Sequence, residues 1–214
     1  MKLVAIIALL TSSVAIADGQ LRSLPDPIKN IPAANLSTPQ TAIFAGGCFW
    51  GVDAVFKHVK GVISTTSGYA GGQADSASYP QVSRGNTGHA EAVKVVYDPK
   101  QISYGQLLKV YFSVAHNPTE LDYQGPDQGT QYRSVIFSTN NSQQQVAQAY
   151  INQLQTQKLY PAPIVTQVAP LPAFYAAEAY HQNYLALHPH EPYIVFNDLP
   201  KLAQLRAQFP GIYQ

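Results

Sequence analysis

The 214-residue chain contains a single cysteine. No intramolecular disulfide can form, so no disulfide framework holds the fold, and a zinc site built from several cysteines is excluded. Charge is also scarce: 12% of the residues are Asp, Glu, Lys or Arg, about half the usual share. The 13 basic and 12 acidic residues form no block, and the formal net charge is +1. Nucleic acid is therefore not expected as a partner, because neutralising phosphates needs clustered Lys and Arg. Low net charge with 14 tyrosines also argues against disorder. The longest apolar run, Leu3–Leu10, falls short of the roughly 20 residues that span a bilayer, so no stable membrane association is expected. The length suits one domain with a sizeable core.

The first residues have the layout of a secretory signal peptide. Lys2 gives a positive start, Leu3–Leu10 an apolar centre, and Ala15 and Ala17 the small residues of a cleavage site. The cut is placed after Ala17, which predicts an exported, periplasmic protein. Residues 18–40 read as a linker broken by Pro25, Pro27, Pro32 and Pro39, with the folded domain, residues 41–214, beginning near Thr41.

Periodicity then predicts a strand over 41–45, a helix from about Cys48 to Gly61 and a strand over 62–70. A loop follows over 73–90, then a strand over 91–97. Ser103-x-x-Gln106 resembles a capping box before another helix. A polar loop covers 117–131, with a strand over 132–138, a Gln-rich helix over 142–157 and a strand over 164–168. Helices are predicted over 174–187 and near 199–209. Two strands follow each other at 62–70 and 91–97 without a helix between them. An α+β two-layer sandwich with a mixed sheet and a ferredoxin-like core is therefore expected rather than a doubly wound parallel sheet.

Cys48 could be an ordinary buried hydrophobe. It nevertheless follows Gly46-Gly47 at the predicted start of a helix, where free N–H groups and the helix dipole favour a thiolate. An unpaired reactive thiol in an exported protein would also be at risk of oxidation unless it is used. Phe49 and Trp50 next to it are candidates to wall an apolar pocket. Glu91 shares a strand face with Val93, Val95 and Tyr97. It stands at the end of an apolar row, where desolvation raises a carboxyl toward the range of a general acid. Tyr79, Asp127 and Tyr132 lie beside Gly-containing loops and are candidates for hydrogen bonds to a substrate oxygen. His89 reads as a loop or packing residue, and His181 either lines the site or packs.

Five segments in order carry a family resemblance. They are Gly47-Cys48-Phe49-Trp50-Gly51, Gly68-Tyr69-Ala70-Gly71-Gly72, Gly88-His89-Ala90-Glu91-Ala92, Val96-Tyr97-Asp98-Pro99 and Gly129-Thr130-Gln131-Tyr132-Arg133. Together they resemble the class A peptide methionine sulfoxide reductases over residues 41–187. The resemblance implies that Cys48 attacks the sulfur of a methionine S-sulfoxide while Glu91 protonates its oxygen, helped by Tyr79 and Tyr132. Phe49 and Trp50 would hold the terminal methyl group, and Asp127 would support the polar end. Cys48 would remain as a sulfenic acid. No metal or cofactor is implied.

Many members of that family carry resolving cysteines in the C-terminal tail, whereas residues 188–214 contain none. A one-cysteine cycle follows, in which an external thiol regenerates Cys48. The reductant would be a thioredoxin-like protein or a low-molecular-weight thiol, and the substrates oxidised proteins, peptides or free methionine sulfoxide. A monomer is expected. Competing readings are a thiol peroxidase, a cysteine peptidase using His89 or His116, and a non-catalytic module that binds oxidised methionine.

Overall fold

The computed structural model describes residues 23–32 and 39–214. The expected signal peptide lies outside these residues. Strand β1 (Gln40–Ala45) leads into helix α1 (Phe49–Lys57), strand β2 (Val62–Ala70), the short helix α2 (Tyr79–Val82) and strand β3 (Ala90–Tyr97). Helix α3 (Tyr104–Val110) runs on through a π turn, and a small hairpin follows, β4 (Tyr123–Gln124) with β5 (Asp127–Gln128). Then come β6 (Val135–Ser138), α4 (Asn141–Thr156), β7 (Gln167–Pro170), β8 (Phe174–Ala176), α5 (Tyr184–Leu187) and α6 (Leu199–Gln208).

The main sheet has the order β7-β6-β1-β3-β2-β8, antiparallel except for the β6–β7 pair. Its centre, β6-β1-β3-β2, comes from two β-α-β units with β3 laid between β1 and β2. That is a ferredoxin-like core in a mixed sheet, as the order of elements predicts. Alternation along the strands sorts the two faces. Ala42, Phe44, Tyr69, Val93, Val95, Tyr97 and Ile136 join the large core against the helices, and Phe44 stacks on Phe56 and Tyr111 there. Ile43, Ala45, Ala70, Ala90, Ala92, Val135 and Phe137 form a smaller cluster on the other face.

Helix α1 is buried well beyond one stripe. Gly51, Asp53 and Ala54 are buried along with Val52, Val55 and Phe56, because α5, α6 and the turn between them cover the side that the sheet leaves open. Buried Asp53 accepts from Lys57 at 2.7 Å and from the Thr65 hydroxyl, so its charge is paired. Ser103 and Gln106 form the reciprocal capping box before α3. Val146, Tyr150 and Leu154 are buried on one stripe of α4.

The structure corrects the helix expected over 174–187. Phe174–Ala176 instead forms the edge strand β8, paired with Gly68–Ala70. Gly68 permits this, since a Cβ there would collide with Phe174 and the Tyr175 carbonyl. Residues 179–181 form one 3₁₀ turn, and left-handed Asn183 (φ 57°) stops the chain before α5 begins. Within the loop expected over 73–90, residues 74–76 and 79–82 are helical turns.

Within the expected linker, residues 23–32 contain no helix or strand but lie bound to the domain. Leu24 is buried in the main core. The Tyr150 hydroxyl donates to the Pro25 carbonyl at 2.8 Å, and Lys109 pairs with Asp26 at 2.8 Å. Asn30 accepts from Gly105 N–H at 3.0 Å and donates to Ser103 Oγ at 2.8 Å, so the segment straps α3 to α4. Leu24→Ala is expected to lower the unfolding free energy by about 2 kcal/mol in urea denaturation. A change below ~0.5 kcal/mol would mean that the strap contributes no packing.

Candidate active site

Gly47 turns the chain out of β1 in the left-handed region (φ +86°), and Cys48 then occupies the N-cap position of α1. A Cβ at Gly47 would sit 2.6 Å from Gln124 Cβ, so a side chain there would push the hairpin away. Cys48 is 8% exposed and opens onto a recess of about 300 Å³ shared with Asp127, Tyr193 and Lys201. Its own side chain does not cap the helix. The cap comes from β3 instead: the Phe49 N–H donates to Glu91 Oε2 at 3.0 Å.

Glu91 stands at the end of the Val93-Val95-Tyr97 row, where the alternation of β3 puts it, and is 3% exposed. Burial pushes its carboxyl up to about 8, against the opposing pull of the Phe49 N–H. The thiol behaves differently from the sequence expectation. Burial first, then the negative potential of Glu91 and Asp198, holds Cys48 well above the ordinary thiol range, and the Trp50 N–H pulls the other way without winning. The helix start alone does not make a thiolate here, because desolvation outweighs one N–H and the dipole. At neutral pH the resting pair is a neutral thiol beside a neutral carboxyl.

Aromatic rings wall this pair. Phe49 is fully buried against Tyr69 and His181, with centroids 5.9 Å and 4.9 Å away. Trp50 stacks flat on Tyr184 at 3.6 Å, with the edge of Tyr193 at 5.8 Å. Its Nε1–H donates to His181 Nδ1 at 3.2 Å, which assigns the imidazole proton to Nε2. Nε2 is buried and has no partner. Tyr79 packs its ring on His181 at 4.6 Å, and its N–H donates to Glu178 at 2.9 Å. Glu178 also accepts from the Tyr69 hydroxyl at 2.9 Å, so one carboxylate ties α2 to β2. Tyr132 sits in a 3₁₀ turn, with its hydroxyl held protonated by burial and then by Glu91, Asp127 and Cys48. Asp127 in β5 accepts from the Tyr193 hydroxyl. Burial raises the Asp127 carboxyl, partly offset by that hydroxyl and by Lys201.

The structure thus brings Cys48, Phe49, Trp50, Tyr79, Glu91, Asp127 and Tyr132 to one place. His181, expected either to line the site or to pack, stands in the aromatic wall, and Tyr184, Tyr193, Asp198 and Lys201, which no local pattern singled out, join the site. A peptidase dyad finds no base. Both His89 nitrogens are engaged, Nδ1 by Gly72 N–H at 3.2 Å and Nε2 by the Gln73 carbonyl at 2.9 Å. His116 bonds the Tyr111 carbonyl at 3.1 Å and Thr166 at 3.3 Å, and burial drives it down to about 3. Among the described residues no three of His, Cys, Asp and Glu gather as a metal site, and no helix is long and apolar enough to cross a membrane.

Residues 40–211 match the sequence model of the family described as peptide methionine sulfoxide reductase. The peptide methionine sulfoxide reductase MsrA 2 of Mesorhizobium japonicum is 62% identical over 174 residues, covering 81% of this chain and 89% of that protein. MsrA 2 of Synechocystis sp. is 49% identical over 188 residues, covering 87% of this chain and 88% of its own. Among solved structures, reduced Mxr1 from Saccharomyces cerevisiae is similar, with a TM-score of 0.67 and 32% identity over 76% of this chain and 90% of that one. Methionine sulfoxide reductase A of Corynebacterium diphtheriae has a TM-score of 0.61 at 32% identity, covering 79% of this chain and 84% of that one.

The raised Glu91 carboxyl has a stability consequence. Between the ordinary carboxylate range and pH 8 the folded state holds a proton that the unfolded chain has lost, so stability falls as pH rises through that window. Glu91→Gln keeps an acceptor for Phe49 N–H. It is expected to be more stable than the parent at pH 7, by up to about 3 kcal/mol, with the difference vanishing near pH 4. A difference independent of pH would contradict the buried, protonated carboxyl.

Proposed function

Because the chain belongs to the class A peptide methionine sulfoxide reductases, an oxidoreductase family, we propose that it reduces methionine S-sulfoxide by a one-cysteine cycle in exported proteins. The observation that carries this reading is the buried pairing of Cys48 with Glu91 across the Phe49 N–H. The Cys48 sulfur attacks the sulfoxide sulfur, and the Glu91 proton goes to the sulfoxide oxygen. The thiol proton, released as sulfur attacks, restores Glu91. The protonated oxygen then passes to the Cys48 sulfur as the substrate S–O bond and the new S–S bond break, so the substrate sulfur gains two electrons and leaves as methionine, and Cys48 is left oxidised as a sulfenic acid.

The other side chains position this exchange. The Tyr79 and Tyr132 hydroxyls, both held protonated, donate to the sulfoxide oxygen. Phe49 and Trp50 hold the methyl group against the aromatic wall. Asp127, fixed by Tyr193, faces the polar end of the substrate. Burial of the site keeps bulk water from competing for the Glu91 proton.

No second cysteine exists in the chain to resolve the sulfenic acid. A first external thiol therefore displaces water and forms a mixed disulfide with Cys48. A second thiol then releases Cys48 and leaves as part of a disulfide. A thioredoxin-like protein or a low-molecular-weight thiol fills this role, and the predicted signal peptide puts the cycle in the periplasm, where oxidised exported proteins are the substrates. The relatives named above are sulfoxide reductases, and none of them supports the thiol peroxidase alternative.

Steady-state turnover of the two sulfoxide epimers with an excess of dithiothreitol tests the reading. The S epimer is reduced, the R epimer is not, and Cys48→Ser is inactive. The rate falls above about pH 8 as Glu91 ionises. Glu91→Gln lowers kcat by about 10²–10⁴-fold and flattens that limb. Equal turnover of both epimers, or an unchanged pH profile in Glu91→Gln, would sink it.

A further inference from the structure

The C-terminal tail carries no thiol, yet it closes over the helix that presents one. Helix α6 packs along α1, and Asp198 at its N-cap and Lys201 in its first turn lie against the first turn of α1. Asp198 is fully buried. Its Oδ1 accepts from Lys201 Nζ at 3.1 Å, and its Oδ2 has no partner. Gly51, one turn beyond Cys48, makes room for both: a methyl carbon there would lie 2.6 Å from Lys201 Nζ and 2.9 Å from Asp198 Cγ. Lys201 lines the same recess as Cys48. A buried ion pair is weak evidence for stability, because desolvation of the two charges offsets their attraction. Its position beside the only thiol in the chain points to another role.

We propose that Asp198 and Lys201 are a positioning pair, supplied by the tail, that sets how readily Cys48 gives up its proton: the ammonium favours the thiolate and the carboxylate opposes it. This deepens the reading of Cys48 as the nucleophile and rests on it. After burial and Glu91, Asp198 is the next influence that keeps the thiol protonated. The other ionisable groups around the thiol are Glu91 from β3, Asp127 from β5, Tyr79 from α2, Tyr132 from its 3₁₀ turn, and Tyr184 and Tyr193 from the tail. His116 and Glu120 also line the recess, and Lys201 is the one permanent cation among the lining residues. Lys201 also draws the Asp127 carboxyl down against its burial. It draws the Asp198 carboxyl down as well, so Lys201 bears on the thiol by offsetting both carboxylates, and removing one member of the pair tilts the site.

The rate of Cys48 alkylation by iodoacetamide across pH reads this directly, and as Cys48 is the only cysteine the signal has no other source. Asp198→Asn is expected to move the titration down by about one pH unit, a roughly ten-fold faster reaction below that pH. Lys201→Gln moves it up, and Lys201→Arg returns it to the parent value. A merely structural pair would respond to either loss in the same direction. If Lys201→Gln does not fold, Asp198→Asn is compared with the double variant Asp198→Asn/Lys201→Gln, which buries no lone charge. The double variant must titrate higher. Shifts of the same sign, or none, overturn the proposal. Failure of the nucleophile reading is separate, since Cys48→Ser would then keep its turnover.

Discussion

Everything in the site depends on how little negative charge its buried centre can hold. Cys48 and Glu91 are both buried acids, joined through the first N–H of α1, and each charged form raises the cost of the other. Water that would stabilise a thiolate or a carboxylate is kept away by Phe49, Tyr69, Tyr79 and His181. The resting state that follows is protonated at both positions. Such a site is poor at holding a free thiolate but well supplied with a proton for a developing oxyanion. Sulfoxide reduction asks for that balance, because the attacking sulfur and the departing oxygen change protonation together.

The fold produces this arrangement with short connections. β3 lies between β1 and β2, so its first inward residue meets the start of the helix that β1 feeds. Glu91 therefore faces Cys48 without any loop having to carry it there. The hairpin brings Asp127, α2 brings Tyr79, and the 3₁₀ turn before β6 brings Tyr132. The tail then closes the other side of α1, with Tyr184 under Trp50, Tyr193 on Asp127, and the Asp198–Lys201 pair at Gly51. Its last residues run back to the other end of the helix, where Gln214 N–H bonds the His58 carbonyl at 3.0 Å. One helix is thus held along its length by the sheet on one side and the tail on the other.

Local pattern in the sequence is enough for the parts whose physics is local. Alternation placed Glu91 on the apolar face of its strand, and the glycine pair placed Cys48 at a helix start. The capping box marked α3, and the 3.6-residue stripe marked α4. A helix start favours a thiolate, but burial of Cys48 by residues distant in sequence outweighs the helix terminus. The stretch 174–187 was misread because its conformation is set by pairing with Gly68–Ala70, 106 residues from Phe174 at Gly68, and not by its own spacing. That error also hid Glu178 and Tyr184, which do not share a helical face in the structure. Tyr193, Asp198 and Lys201 gave no signal, since their role exists only where the tail meets α1. The strap over 23–32 was hidden by its prolines, which exclude helix and strand but not docking.

The central claim is that one thiol and one protonated carboxyl move a single oxygen atom and then wait for an outside thiol. Mixing the enzyme with excess methionine S-sulfoxide and no reductant isolates that event. The account predicts one methionine released per chain, one added oxygen atom on Cys48 detected as a trapped sulfenic acid, and no further product until a thiol is added. Continued turnover without a thiol, or methionine release with Cys48 left unmodified, would contradict it.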